Sequence, residues 1–247
     1  MKRTRVLSAA VLFLVVGGSA VAHAQGRGHE KQDQRKHGQD DRDKRRDQQV
    51  SPQEQQQRAQ QEQRRAEAYR QRLDEQVRVA QQQAAQLQEQ KRIAQARAQE
   101  QYAAELRQQQ QRLQTRRDYS RDPYVSTPQT YRYVVGGTTR QTNQYGADVL
   151  RQAVNNGYEQ GFRAGQADRA DRRRASYRTS FGYQDANFGY GGNYVDQSDY
   201  NYYFRAGFRR GYDDGYNSRS QYGTSSNGAP SILGSLLTSI LGLQPIQ

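Results

Sequence analysis

The sequence GYEQGFRAG at residues 157–165 returns as GFRRGYDDG at residues 207–215. Each copy places glycine at positions i, i+4 and i+8, with an aromatic residue directly after the first two glycines. On a helix these glycines share one face. Glycine inside a helix costs about 1 kcal/mol relative to alanine, so such a pattern needs compensation. The close approach of a second helix backbone is the natural source of it.

We therefore predict that both copies are helices and that they pack through their glycines. The residues expected at this contact are the glycines and the aromatic residues that cover them. They are Gly157, Gly161, Gly165, Gly207, Gly211, Gly215, Tyr158, Phe162, Phe208 and Tyr212. The alternative is that a sequence this rich in glycine and tyrosine forms loops.

Flanking residues extend each copy into a longer helix, and together residues 148–219 form a predicted glycine-aromatic helical module. Asp148 is the candidate N-cap of the first helix, and Ser198 or Asp199 is that of the second. The segment between the helices, residues 175–197, is rich in Gly, Tyr and Asn and is predicted to be a loop. Its length would permit the two helices to lie antiparallel.

The register of the repeat is ambiguous, because FRAG occurs both at residues 162–165 and at residues 204–207. These G-[YF]-x-x-G runs, which end at Arg169 and Arg219, resemble those of uncharacterised exported bacterial proteins with glycine-aromatic repeats. The resemblance implies kinship with exported proteins and implies no activity.

The composition limits how much of the chain can fold. The chain has 247 residues, a net charge of +13, no cysteine and only 33% hydrophobic residues. Low hydrophobicity with many Gln, Arg and Gly indicates that much of the chain cannot bury a core. The helical patterns in the remainder predict a mainly α protein. We expect a long Gln/Arg/Ala-rich helix and a small Gly-bearing helical module, with large disordered segments. The lack of cysteine excludes disulfides, thiolate nucleophiles and cysteine zinc sites.

The first 24 residues have the pattern of a signal peptide. Basic residues precede an apolar run at 6–16, and Ala22-His23-Ala24 is a small-x-small cleavage site. The alternative, an uncleaved anchor, needs a longer apolar run. We expect export to the periplasm or outside the cell, with the mature chain starting at Gln25. Residues 25–50 are charged and low in complexity and are predicted to be disordered, with no metal bound.

Residues 51–118 read as one long helix. Ser51-Pro52-Gln53-Glu54 is a strong helix start, and no Gly or Pro follows until Pro123. The helix would be about 100 Å long at ~1.5 Å per residue. A thin apolar seam, interrupted at Lys91, follows a period between 3.6 and 3.7. It comprises Tyr69, Leu73, Val77, Ala80, Ala84, Leu87, Ala98, Tyr102, Leu106 and Leu113. A weak self-associating coiled coil and a solvated spacer both fit this seam.

Three further segments complete the chain. Residues 119–147 are a predicted linker in which YRYVV, at 131–135, could form a hairpin with the residues after Gly136-Gly137. Residues 220–230 are a predicted flexible linker. Residues 231–243 are a predicted short apolar helix that is too short to span a bilayer. This helix could dock on the glycine helices, pair with a copy of itself or contact a membrane surface.

The sequence offers little catalytic chemistry. No histidine or cysteine follows Asp118, which removes His-based general bases and Ser-His dyads. The clustered carboxylates are Asp168, Asp171, Asp213 and Asp214. Asp168 and Asp171 lie among arginines, so we expect local salt bridges there. We predict no enzymatic activity, no cofactor, no metal site and no small-molecule substrate.

Two functions remain. The first is a structural or interaction protein of the bacterial cell envelope, in which the long helix is a spacer or self-association element. The glycine-aromatic helices would then dock an envelope protein. The second is a binder of anionic polymers such as nucleic acid, lipopolysaccharide or wall polymers. Tyrosine and arginine alternate in segments such as RTSFGY at 178–183, and this combination can stack bases and hold phosphates.

Overall fold

The computed structural model describes residues 50–115, 117–226 and 229–246. The predicted signal peptide and all but the last residue of the predicted charged tract lie outside these residues. The described part is mainly α, as predicted, with six α-helices and two small sheets.

The predicted long helix is instead two helices. Ser51 begins the first, because its side-chain oxygen accepts a hydrogen bond from the backbone N–H of Glu54 at 3.3 Å. Helix α1 spans Pro52–Glu89 and helix α2 spans Ile93–Gln114. Between them Lys91 takes a left-handed conformation with φ 59°. The prediction of one continuous helix over 51–118 was therefore wrong.

The two helices form an antiparallel hairpin, because the residues that meet run in opposite directions. The Gln99 amide donates to the Ala80 carbonyl at 3.3 Å, and the Gln110 amide donates to the Asp74 carboxylate at 2.6 Å. Folding back removes the apolar seam from water, which a lone helix cannot do. The buried residues of this seam are Tyr69, Leu73, Val77, Ala80, Ala84, Tyr102 and Leu106.

The start of α2 is capped from far away in the sequence. Its N-cap residue, Arg92, provides no side-chain cap. Instead, the carboxylate of Asp171 accepts the backbone N–H groups of Ala94 and Gln95, each at 2.9 Å. This contact satisfies donors that every helix start leaves free, and it joins the hairpin to the glycine module.

The two glycine-bearing helices lie side by side and parallel. Helix α3 spans Gln144–Ala170 and helix α5 spans Gln197–Asn217. The contacts advance together along both chains: Gly157 lies against Phe204, Gly161 against Phe208 and Gly165 against Tyr212. In return, Gly207 lies against Val154, Gly211 against Tyr158 and Gly215 against Phe162. The antiparallel arrangement that we considered was wrong.

The reciprocal contacts settle the register of the repeat. The glycines of α3 meet carbonyls of α5 in the same way as the glycines of α5 meet carbonyls of α3. Gly157 is therefore equivalent to Gly207, and the pair has an approximate two-fold axis parallel to the helices. The competing alignment of the two FRAG segments does not describe this contact.

Parallel packing explains the long connection between the two helices. Helix α3 has 27 residues, or about 40 Å, and the chain must return along that length before α5 begins. The connection contains a 3-10 turn, Tyr177–Thr179, and a short helix α4, Phe181–Asp185. What we predicted as a loop is a structured crossover whose length the parallel geometry requires.

The predicted caps of the two glycine helices are displaced by a few residues. The side chain of Asn143 accepts the backbone N–H of Gly146 at 2.8 Å, so α3 starts before Asp148. Asp148 pairs with Arg151 instead. Helix α5 follows Asp196 rather than Ser198 or Asp199.

The predicted hairpin is confirmed. Strands β1, Tyr131–Val135, and β2, Thr138–Thr142, pair antiparallel around Gly136 and Gly137, which have φ values of 56° and 83°. The predicted linker at 220–230 also contains strand structure. Strand β3, Gly223–Ser226, pairs antiparallel with β4, Ala229–Ile232.

The C-terminal apolar helix docks inside the molecule. Helix α6 spans Gly234–Leu241, a shorter range than predicted, and strand β5, Gln244–Pro245, then joins β1. Leu241 is buried, and its carbonyl accepts the hydroxyl of Tyr203 at 3.2 Å. This segment was predicted to dock on the glycine helices, to pair with a copy of itself or to contact a membrane surface. The structure shows that it docks on the core. In the described part of the chain no helix has the length and hydropathy to cross a membrane.

Alanine at the helix contact should destabilise the protein. A Cβ built on Gly161 or Gly211 would lie under 3.0 Å from backbone atoms of the facing helix. We expect Gly161→Ala and Gly211→Ala each to lower the free energy of unfolding by about 1–3 kcal/mol, despite the better helix propensity of alanine. The measurement is thermal and urea unfolding. Gly234→Ala is the control, because its Cβ would meet nothing within 4 Å; stabilisation by both core substitutions would contradict the contact.

The turn at Lys91 can be tested with two glycine substitutions. Lys91→Gly should raise the free energy of unfolding by about 1 kcal/mol, because a left-handed conformation is costly for other residues. Arg97→Gly, on an exposed position within α2, should lower it by about 1 kcal/mol. Urea unfolding of both variants measures the change in the free energy of unfolding and therefore its sign in each. Destabilisation by both would indicate a continuous helix.

Candidate functional site

The residues predicted for helix packing are used inside the fold. All six glycines are at the contact between α3 and α5. Tyr158, Phe208 and Tyr212 are buried beside it and Phe162 is half-buried. The glycine faces therefore cover each other, and neither is open to a separate protein.

An aromatic ladder runs along α5 from the core to the surface. Its rings recur every four residues, at Tyr200, Phe204, Phe208, Tyr212 and Tyr216. Neighbouring ring centroids are 6.1 to 6.5 Å apart. Tyr200 is fully buried, whereas Tyr216 is half-buried. The last ring of the ladder is therefore accessible at the C-terminal end of the helix.

Three buried aspartates are each bound by a different tyrosine. The hydroxyl of Tyr133 donates to Asp199 and that of Tyr158 to Asp214, both at 2.8 Å, and Tyr212 donates to Asp168. A buried carboxylate is costly unless hydrogen bonds satisfy it. These tyrosines supply such bonds, so we assign the three aspartates to structure.

The aspartates identified in the sequence do not form the expected local salt bridges at Asp168 and Asp171. Asp168 accepts from Tyr212, and Asp171 caps α2. Asp213 pairs with Arg219 on the surface. Asp214 also accepts the backbone N–H groups of Gln221 and Tyr222, at 3.0 and 2.8 Å. Asp214 thereby fixes the chain directly after α5.

A groove lies where this fixed segment, the C-terminal half of α5 and the start of the crossover meet. Its volume is about 550 Å³. Four tyrosines and two arginines dominate its lining: Tyr177, Tyr212, Tyr216, Tyr222, Arg209 and Arg210. The crossover adds four exposed arginines on either side of Tyr177, namely Arg172, Arg173, Arg174 and Arg178.

The cations of this Tyr/Arg groove lack anionic partners. Asp213 also lines the groove, but it is paired with Arg219. Among the described residues, neither Arg209 nor Arg210 forms an ion pair; a guanidinium N–H of Arg210 donates to the Ala206 carbonyl. Burial and then the neighbouring Arg209 lower the pKa of Arg210.

Tyr177 responds to the same positive charge. A hydrogen bond with Arg178, and the charges of Arg178 and Arg209, lower the pKa of its hydroxyl. The buried tyrosines of the core have raised pKa values instead, because burial disfavours their charged form. The groove therefore combines Tyr177 with two arginines, Arg209 and Arg210, that form no ion pair with a carboxylate in the described part of the chain.

Two other concave surfaces differ in this respect. One, of about 420 Å³, contains Arg65 and Arg140, which pair with Asp196. The other, of about 980 Å³, contains Arg117, paired with Asp122 at 2.6 Å. Of the arginines on these two surfaces, only Arg64 forms no ion pair among the described residues. The Tyr/Arg groove has two such arginines and is therefore the better candidate for an anionic ligand.

The described residues contain no cluster of His, Cys, Asp or Glu that could hold a metal ion. No protein-family model matches the chain, and no match was found among curated proteins or solved structures. The resemblance to exported glycine-aromatic proteins stays a prediction.

The composition of the groove was predictable from the sequence, but its location was not. No residue of the segment RTSFGY lines the groove, although Arg178 directly follows Tyr177, which does. Tyr183 packs on Phe208 with ring centroids 5.7 Å apart, and Arg205 lies over the Tyr183 ring at 5.9 Å. The available signal was Arg209-Arg210, which occupies the second repeat where the first has Glu159-Gln160.

Buried Asp168 should give a pH-dependent stability. Burial raises the pKa of its carboxyl above the ordinary value of 3.8. The folded state then retains this proton to a higher pH than the unfolded state, so stability falls as pH rises through that window. We expect the melting temperature of the native protein, relative to Asp168→Asn, to decrease between about pH 4 and pH 7.

The control is Asp118, an exposed carboxylate whose pKa is lowered rather than raised. Hydrogen bonds from Ser120 lower the pKa of Asp118 below 3.8. Its stabilisation is lost only as pH falls through the lowered value, so Asp118→Asn should give a flat difference above about pH 4. A flat Asp168→Asn difference over the same range would contradict the assignment.

Proposed function

We propose that this chain is an exported, non-enzymatic interaction protein of the cell envelope that binds anionic polymers through the Tyr/Arg groove. The observation that carries the proposal is geometric: Arg209 and Arg210 line a groove with four tyrosines, and neither forms an ion pair among the described residues. Binding an anion there supplies the missing counter-charge. Export remains part of the proposal and is supported by the signal-like residues 1–24.

The structure favours this function over the spacer and docking hypothesis. The predicted spacer folds back as a hairpin, which shortens its reach. The glycine-aromatic helices pack against each other and leave no open glycine face. Self-association or an envelope protein partner would therefore use another surface.

The wider charge distribution supports a polymer as the ligand. The net charge is +13 and the isoelectric point is about 10.0. Arg172, Arg173, Arg174 and Arg178 extend the cationic surface beyond the groove. A polymer with repeated negative charges can contact the groove and these arginines together, and each contact releases counterions.

Removing the groove cations should weaken binding and its salt dependence. The probe is fluorescently labelled polyphosphate, which offers charge alone. We expect the double variant Arg209→Ala/Arg210→Ala to bind roughly tenfold or more weakly, with the slope of log K against log salt reduced by about 1 to 2. Fluorescence anisotropy at several salt concentrations measures both quantities.

The matched control removes two exposed arginines from α2, Arg97→Ala/Arg112→Ala, and changes the net charge equally. This variant should bind polyphosphate nearly as well as the native protein. Equal losses in both double variants would mean that binding follows net charge and not the groove. Melting temperatures establish that all variants are folded.

A further inference from the structure

Tyr222 packs on the hydrophobic core, but it makes fewer specific contacts than the other tyrosines of the groove. The hydroxyl of Tyr216 donates to the Arg173 carbonyl at 2.8 Å, and that of Tyr212 binds Asp168. Tyr177 contacts two other rings. Among the described residues, the Tyr222 ring packs against no other ring and its hydroxyl forms no hydrogen bond.

The backbone of Tyr222 is nevertheless fixed on both sides. Its N–H donates to the buried carboxylate of Asp214 at 2.8 Å, and its carbonyl accepts the N–H of Leu233 at 3.0 Å. The half-buried ring lines the groove. An aromatic ring that packs on the core, lines a groove and stacks on no other ring is suited to stack on a flat ligand, because little freedom is lost on binding.

Two arginines lie near Tyr222. The Tyr222 hydroxyl contributes an electrostatic interaction that favours the charged forms of both Arg210 and Arg219. Arg219 is paired with Asp213, whereas Arg210 has no carboxylate partner in the described residues. A ligand that satisfies the whole arrangement carries a flat aromatic group next to a negative charge.

We propose that the polymer bound by the groove is single-stranded nucleic acid, with one base stacked on Tyr222 and the adjacent phosphates on Arg209 and Arg210. This inference rests on the proposed function. Single strands present unstacked bases and phosphates together. Duplexes keep their bases stacked on one another, and polyphosphate, lipopolysaccharide and wall polymers have no bases to place on the ring.

The test compares two labelled oligonucleotides with the same number of phosphates. One is oligo(dT) and the other is an abasic strand of equal length. We expect oligo(dT) to bind the native protein roughly tenfold more tightly at the same salt concentration, which is the scale of one stacked base. Fluorescence anisotropy gives both affinities.

Variants at Tyr222 locate the effect. Tyr222→Leu should abolish the preference for oligo(dT) and leave binding of the abasic strand unchanged. Tyr222→Phe should retain the preference, because the ring is kept and the hydroxyl has no partner. Tyr202→Leu is the matched control, since Tyr202 is an exposed tyrosine of α5 outside the groove.

The outcomes separate this inference from the proposed function. Equal binding of oligo(dT) and the abasic strand would overturn base stacking while leaving the anion-binding groove intact. Binding of neither strand, nor of polyphosphate, would overturn both. A duplex that binds as tightly as the single strand would also refute the inference. Retention of the preference in Tyr222→Leu would place the stacking elsewhere.

Discussion

The fold depends on the close approach of two helix backbones. Gly157, Gly161 and their counterparts on α5 let carbonyl oxygens of one helix lie against the Cα atoms of the other. Such an approach gains many small contacts and weak Cα–H···O interactions that larger side chains would prevent. It also turns the aromatic residues outward to both sides of the contact, where they form the core on which the N-terminal hairpin, the strands and the C-terminal helix pack.

The periodicity of each helix could be read from the sequence, whereas the relative direction of two packed helices could not. The glycine spacing identified which face of each helix is in contact, because periodicity defines a face. It does not define whether the partner runs parallel or antiparallel, and that depends on the crossover. The turn at Lys91 escaped detection because no glycine or proline marks it and its neighbours are good helix formers. The capping of α2 by Asp171 depends on a contact between distant segments.

The groove was unpredictable for the same reason. Its parts come from the crossover, from α5 and from the segment after α5. The mixture of tyrosine and arginine is visible in the sequence, because it is a matter of composition. The sequence does not distinguish Tyr183, which packs against other rings, from Tyr222, which lines the groove and packs against no ring of the described residues. That distinction follows from Asp214, whose buried carboxylate holds the backbone at Gln221 and Tyr222.

The approximate two-fold symmetry of the helix pair bears on how molecules of this protein behave toward each other. The surface of α5 that α3 contacts within one chain is identical to the surface that α5 of a second molecule would offer to α3. The crossover makes the partner part of the same chain, and a tether of this kind gives an effective concentration on the order of millimolar. Exchange of helices between molecules is therefore disfavoured in dilute solution. At a high protein concentration that advantage disappears, and domain-swapped dimers could form through the same contact between the glycine helices.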